Sequence, residues 1–283
     1  MSFARPTAAE LTQLSARYPD IFREPLALRL RRYALLGALA LLLAFCLQRT
    51  GFTDLSTIAK GLGRLGEVLA FMLPPRAGGY LGEFLLATLE TLSMAFLGTL
   101  IAFLCALPLG FLGATNVVAN PFVHFGLRRL FDTLRGVDAL IWALIFINVV
   151  GLGPFAGILA IGVSDAGVLA KLFAEAVENI DPRQAEGVRA SGAGRLAVIR
   201  FGMLPQVLPV LLSNTLYYFE SNTRSATILG IVGAGGIGLQ LSDRIRINEW
   251  GQASCIILII LVTVFLIDKL SSSLRHAVIG RRS

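Results

Sequence analysis

The sequence predicts an all-α membrane protein with about six transmembrane helices, and three observations carry that prediction. Of the 283 residues, 55% are hydrophobic and only 15% are charged, against about 25% charged in an ordinary soluble domain. The apolar residues come in long blocks, and a helix needs roughly 20 mostly apolar residues to cross a bilayer core. The basic residues are sided. With six spans, 18 Lys and Arg fall on the side of the termini and 6 on the other, with Arg224 left within the membrane. Cytoplasmic loops collect Lys and Arg, so both termini are expected in the cytoplasm. The net charge of +7 then needs no nucleic-acid partner.

Taken in order, residues 1–32 form a basic cytoplasmic tail ending in LRLRR. Residues 33–48 form the first span, and no A-x-A-like cleavage site follows, so it reads as retained. Residues 49–82 mix Lys60, Arg64 and Glu67 with apolar residues before a PPRAGG break. Within them LSTIAKGLGRLGEVLAFML has helical apolar spacing and reads as an interfacial helix on the periplasmic side. Residues 83–271 hold the other spans: 84–112, 137–150, 155–170, an interrupted 207–242, and 253–270. Between the fourth and fifth spans lies a long polar, helical cytoplasmic segment, 171–206. Residues 272–283 close the chain as a basic cytoplasmic tail.

Several chemistries are excluded. Cys46, Cys105 and Cys255 lie inside apolar runs and read as small packing residues. His124 and His276 have no metal-ligand partner at useful spacing and read as surface histidines; no metal site is expected. Neither H-E-x-x-H nor G-x-S-x-G occurs, so an intramembrane enzyme is not indicated. Glu90 and Asn148 are single polar residues in spans, where interhelical hydrogen bonding is the ordinary role.

GIVGAGGIG (230–238) contains G-x-G-x-x-G at Gly233, Gly235 and Gly238, with Gly236 between. A dinucleotide site needs a preceding strand, a following helix and an acidic residue about 20 positions on. None is present, and no G-x-x-x-x-G-K-[ST] occurs, so no nucleotide is expected on this chain. The glycines either let helices approach closely or break a helix at membrane depth, where they line a path or simply pack. Just before them, Glu220, Ser221, Asn222, Thr223, Arg224 and Ser225 place six polar residues in an apolar region. Glu220 and Arg224 are spaced i, i+4 and can pair on a helix. Two readings are open: a neutralising pair near the interface, or the polar lining of a translocation path with Arg224 facing an anion.

The cytoplasmic segment AEGVRASGAGRLAVIRFGMLPQVLP (185–209) reads as a short helix, a glycine kink and a second helix stopped by Pro205. It resembles the EAA loop of ABC-importer permeases, E-A-A-x3-G-x9-I-x-L-P, with Glu186, Gly192, Leu204 and Pro205 at matching offsets. It departs at Gly187 and Val188, where the family favours alanine, and at Gly202, where it favours isoleucine. Ala190 and Ser191 fill the run before the turn. KLFAEAVENID (171–181) and FESNTRSATILGIVGAGGIG (219–238) resemble the permeases of phosphonate ABC importers, and the resemblance covers roughly residues 80–275. Relatives in that group include importers for phosphite, hypophosphite and phosphate.

The resemblance implies a type I ABC importer permease fold and a non-catalytic membrane subunit. It further implies a homodimer enclosing the path, two copies of a separate ATPase subunit that uses ATP and Mg, and a periplasmic or lipid-anchored binding protein. Glu186 is expected to fix the coupling loop by a polar contact and Gly192 to make its turn. Arg224, with Asn222 and Thr223, is expected in the path. The alternatives are a permease of another type I importer, such as one for methionine, or a transporter that runs without ATP.

Overall fold

The computed structural model describes residues 26–118 and 120–279, and every regular element in them is helical. Most of the predicted N-terminal tail, and Arg281 and Arg282 of the C-terminal one, lie outside the described residues. The chain divides into Met1–Glu67 and Val68–Ser283.

In the first unit, α1 (Leu26–Arg49) begins seven residues before the predicted span, because LALRLRR is built from strong helix formers. A turn through Gly51 leads to Asp54. Its carboxylate accepts from the Thr57 hydroxyl at 2.7 Å and from the Ser56 hydroxyl and amide at 2.8 and 3.0 Å. This is an N-cap, satisfying amides the helix cannot, and the Thr57 and Ser56 hydrogen bonds hold the Asp54 carboxyl below its ordinary range. It starts α2 (Leu55–Phe71), the helix expected from the spacing. Leu55, Ile58, Leu62, Leu65 and Leu69 recur along one face of α2 and are all exposed.

The second unit is built on α3 (Leu81–Gly113) and α6 (Pro154–Glu178). Both present small residues to each other. A Cβ on Gly98 would stand 2.7 Å from Ile161 Cβ, so the backbones approach as small-residue interfaces allow. Around α6 pack α4 (Pro121–Gly136), α5 (Ala139–Val150) and α8 (Leu204–Leu229). Phe131, Leu169, Phe173 and Leu211 fill the core at the α4 end of this group.

Two predicted spans differ. The third, 137–150, is the 12-residue α5, cut short by the Asp138 cap and a turn at Gly151. At 1.5 Å per residue it is about 18 Å long, short of the roughly 30 Å core. It is bent 84° from the amphipathic α4, so five helices can cross a membrane, or six if that bent pair counts as one. The fifth, 207–242, is two helices, α8 and α9 (Gly236–Arg246), separated by a break over Gly230–Ala234. The last, α10 (Trp250–Ile279), is continuous.

Candidate coupling loop and translocation face

The segment between α6 and α8 folds as the anticipated short helix, glycine turn and returning helix, but Pro205 does not stop that second helix: it sits in the first turn of α8, where a proline is tolerated. Asp181 caps α7 (Pro182–Ala190) by accepting from the Arg183 amide at 3.0 Å. Gly192 then takes φ +82°, a left-handed conformation that other residues adopt only with strain. The return is a helical stretch, Arg195–Ala197, that widens into a π-helical turn, Val198–Met203, and runs into α8. Ala185, Val198 and Met203 form a small core under the hairpin. Gly202 is tight against α7: a Cβ there would meet Ala185 Cα at 2.9 Å. The isoleucine favoured in the resembling loops has no room at this position, so the smaller residue is a packing requirement here.

Glu186 is exposed and forms no polar contact among the described residues, so it does not fix the loop as expected. Gln206 fills that role: its side chain accepts from the Asp181 amide at 3.1 Å and donates to the Gly202 carbonyl at 2.6 Å. Gly187, Ala190 and Ser191 are exposed with Glu186; Pro205 is also exposed and Leu204 half-buried. Leu196 and Phe201 stand 82% and 64% exposed on the same hairpin. Apolar side chains left bare on an otherwise packed loop mark a contact surface.

The glycine run breaks the helix. Gly233, Gly235 and Gly236 all have positive φ, and the chain folds back so that Gly238 lies against the Thr227 carbonyl. The first amides of α9 are satisfied from α3: Glu90 accepts from the Gly236 amide at 3.0 Å and Thr91 from Ile237 at 2.9 Å. A carboxylate at a helix N-terminus also meets the positive end of the helix dipole. Glu90 therefore bonds between helices, as anticipated. Asn148 does not; it donates to the Leu144 carbonyl one turn back in α5. His124 is not a free surface histidine, since its Nδ1 lies 2.9 Å from the Gly113 carbonyl. Cys46 and Cys105 are exposed on their helices rather than packed inside.

The polar residues of α8 divide between two faces. Asn222 and Thr223 are 5% and 2% exposed. Asn222 Nδ2 donates to Asp165 of α6 and, at 2.9 Å, to Thr99 Oγ1 of α3; Thr223 donates to the Phe219 carbonyl. Both point into the helix packing, so the expectation that they line a path is corrected. Arg224 points outward, with Ser225 half-buried beside it. It reaches Asp268 of α10 at 3.3 Å and Glu220 at 3.9 Å. Glu220 has a closer partner in Arg275, at 2.8 Å, and Arg275 also donates to Ser271. Two acids and two bases cancel, and the cluster sits where the apolar run of α10 ends at Ile267. The interfacial pairing reading fits this geometry. Tyr217, Arg224, Ile228 and Ile231 form an exposed row along α8 and its extension.

Sequence reading missed three residues. Asp165 is 7% exposed, the one ionisable residue fully buried among those described, and was legible as a lone carboxylate inside 155–170. Glu178 ties α6 to its neighbours, accepting from the Thr115 amide at 2.9 Å and from Arg128 at 2.8 Å. Gln206 carried no sequence signal.

Comparison with known proteins follows the same lines. Residues 106–282 match the family described as binding-protein-dependent transport system inner membrane component. The chain is 37% identical to the phosphite transport system permease protein PtxC of Stutzerimonas stutzeri, over 80% of this chain and 82% of that one. It is 35% identical to the phosphate-import permease protein PhnE of Mycolicibacterium smegmatis, over 90% of this chain and 48% of that one. Among solved structures, the inward-facing MetNI methionine ABC transporter aligns with a TM-score of 0.64 at 23% identity, over 72% of this chain and 99% of that chain, which shows the fold. The chain belongs to the family of binding-protein-dependent transport system inner membrane components, as a multi-pass, non-catalytic permease subunit of an ABC importer.

Proposed function

We propose that this permease carries phosphonate or a related phosphorus oxyanion, such as phosphite, hypophosphite or phosphate, inward. The relatives named for phosphite and phosphate transport support the substrate class. Two copies enclose the path, and both termini are cytoplasmic. Each copy presents α7 and the following turn to one of two ATPase subunits. ATP and Mg are used there, and this chain binds neither. A periplasmic or lipid-anchored binding protein delivers the anion to the opposite face.

The observation that carries the coupling role is the hairpin 182–203, packed on its inner side around Ala185 and bare on its outer side at Glu186, Gly187, Leu196 and Phe201. A short, internally packed helix transmits a displacement where a floppy loop absorbs it. The binding protein shifts the equilibrium by preferring one permease state, since only differential affinity can do so. The Arg224 row of α8 faces the second copy and lines the path. Because Arg224 is balanced by Asp268 and Glu220, it guides the anion without leaving a deep trap for it.

The test is ATP hydrolysis by the reconstituted complex in proteoliposomes, with binding protein empty or loaded with methylphosphonate, phosphite or phosphate. Loaded binding protein should stimulate hydrolysis, and Glu186→Ala should lose much of that stimulation. Arg224→Ala should lower uptake while leaving stimulation largely intact. Absence of stimulation by any of the three anions would refute the substrate class.

A further inference from the structure

We infer that the hydrogen bond between Asp165 and Asn222 pins α6 to α8 so that the two helices swing as one body when the coupling loop is displaced. Both are positioning residues for transport. The inference rests on the reading of 182–203 as the coupling loop.

The loop hangs from two stems, the end of α6 and the start of α8. Near the loop the stems are tied by Gln206 to Asp181 and Gly202, and α6 is tied to α4 and to the end of α3 by Glu178. Farther in, the polar tie between them is the Asp165–Asn222 bond, which Thr99 extends to α3. Asp165 lies 13 residues before Glu178 and Asn222 lies 18 after Leu204. At 1.5 Å per residue these are lever arms of about 20 and 27 Å.

A lever transmits only if it does not bend. The α8 arm is interrupted near its base by Pro209 and follows a π-helical turn. Proline removes a backbone hydrogen bond and π-turns loosen the ladder. With the base tied alone, a push on the loop would flex α8 at Pro209 and stop there. The deep pin lies beyond that weak point and joins α8 to α6, whose own stem is uninterrupted.

The chemistry at the pin is otherwise hard to explain. A carboxylate within a membrane helix is costly to insert, and Asp165 forms no ion pair among the described residues. An apolar pair would pack these helices without that cost. A directed hydrogen bond fixes rotation and register, which apolar packing leaves freer. Asp165 is therefore placed where two moving stems must keep register.

The test uses the full complex in proteoliposomes and reads methylphosphonate and phosphite taken up per ATP hydrolysed. Asn222→Leu removes the donor at similar volume; the double variant Asp165→Asn/Asn222→Asp restores the bond with donor and acceptor exchanged. Asn222→Leu should assemble with the ATPase yet lose about tenfold in uptake per ATP, the scale expected for losing a buried charge-assisted bond. The exchanged pair should recover most of it. Wild-type coupling in Asn222→Leu overturns the pin, as does an assembled exchanged pair that fails to recover. Loss of assembly in both variants makes the bond a folding contact and overturns it too. If loaded binding protein fails to stimulate the wild type, the importer reading itself falls; a stimulated wild type with an unaffected Asn222→Leu sinks the pin alone.

Discussion

Gly98 meets Ile161 across the α3–α6 contact with a virtual Cβ separation of 2.7 Å, while Gly37 of α1 has nothing within 4 Å. The two glycines look alike in sequence and should respond oppositely. Gly98→Val forces α3 and α6 apart and should destabilise the protein by roughly 1–3 kcal/mol, the usual range for overpacking. Gly37→Ala should be neutral or stabilise its helix by up to about 1 kcal/mol. Melting of the purified protein in detergent separates them; a Gly98→Val melt equal to wild type would contradict the packing described. The same contrast shows what was legible in the residues. Gly192 was readable because a turn was required at its offset in the loop. Asn222 and Arg224 were not separable, since two residues apart on a helix means opposite faces, and only the position of α6 and α10 decides which face is inside. Gln206 was invisible because its partners, Asp181 and Gly202, are brought together only by the hairpin.

At the scale of elements, the helices were legible, and so were the interruptions at Gly192 and within 207–242, but the shortness of α5 was not. Long apolar runs set α1, α3, α6 and α10. The 14 residues of 137–150 have span-like composition, but Asp138 and Gly151 cut the helix to 12, and hydropathy does not register caps. The break before α9 gives a sharper test. Its first amides depend on Glu90 and Thr91. Glu90→Ala should speed amide hydrogen exchange over 235–239, while Glu90→Gln, which retains an acceptor oxygen, should change it much less. Equal exchange in the two variants would show that the carboxylate does not hold the helix start. The cap of α2 carries a pH dependence whose sign follows from Asp54. Its folded-state pKa is depressed by the Thr57 and Ser56 hydrogen bonds. Its contribution is therefore fully present above the ordinary Asp range and is lost as pH falls through the depressed value. Exchange at Ser56 and Thr57 amides should thus be flat around neutrality and rise, relative to the intrinsic rate, only in acid. Asp54→Ala should show the raised protection factor loss at every pH.

For the whole molecule the strongest prediction concerns sidedness. The 18 to 6 division of Lys and Arg was counted on six spans, and the structure supplies five unambiguous ones plus the bent α4–α5 pair. The parity of crossings therefore hangs on the shortest element. If α5 fails to cross, the loop 182–203 and the tail after α10 change sides relative to α1, and the basic bias collapses. If it crosses with its turn at Gly151–Gly153 on the outer face, the coupling loop, α4 and both tails share the cytoplasmic side. The charge pattern favours the second arrangement: Lys171, Arg183, Arg189, Arg195 and Arg200 all lie between the end of α5 and the start of α8, and moving them outward would invert a strong rule. Single cysteines at Lys60 and Arg189, in a background lacking Cys46, Cys105 and Cys255, decide the matter. A membrane-impermeant maleimide added to spheroplasts should label Lys60→Cys and leave Arg189→Cys unlabelled until the membrane is opened. Labelling of Arg189→Cys from outside would place the loop where no ATPase can reach it, and the coupling role of α7 would fall with the topology.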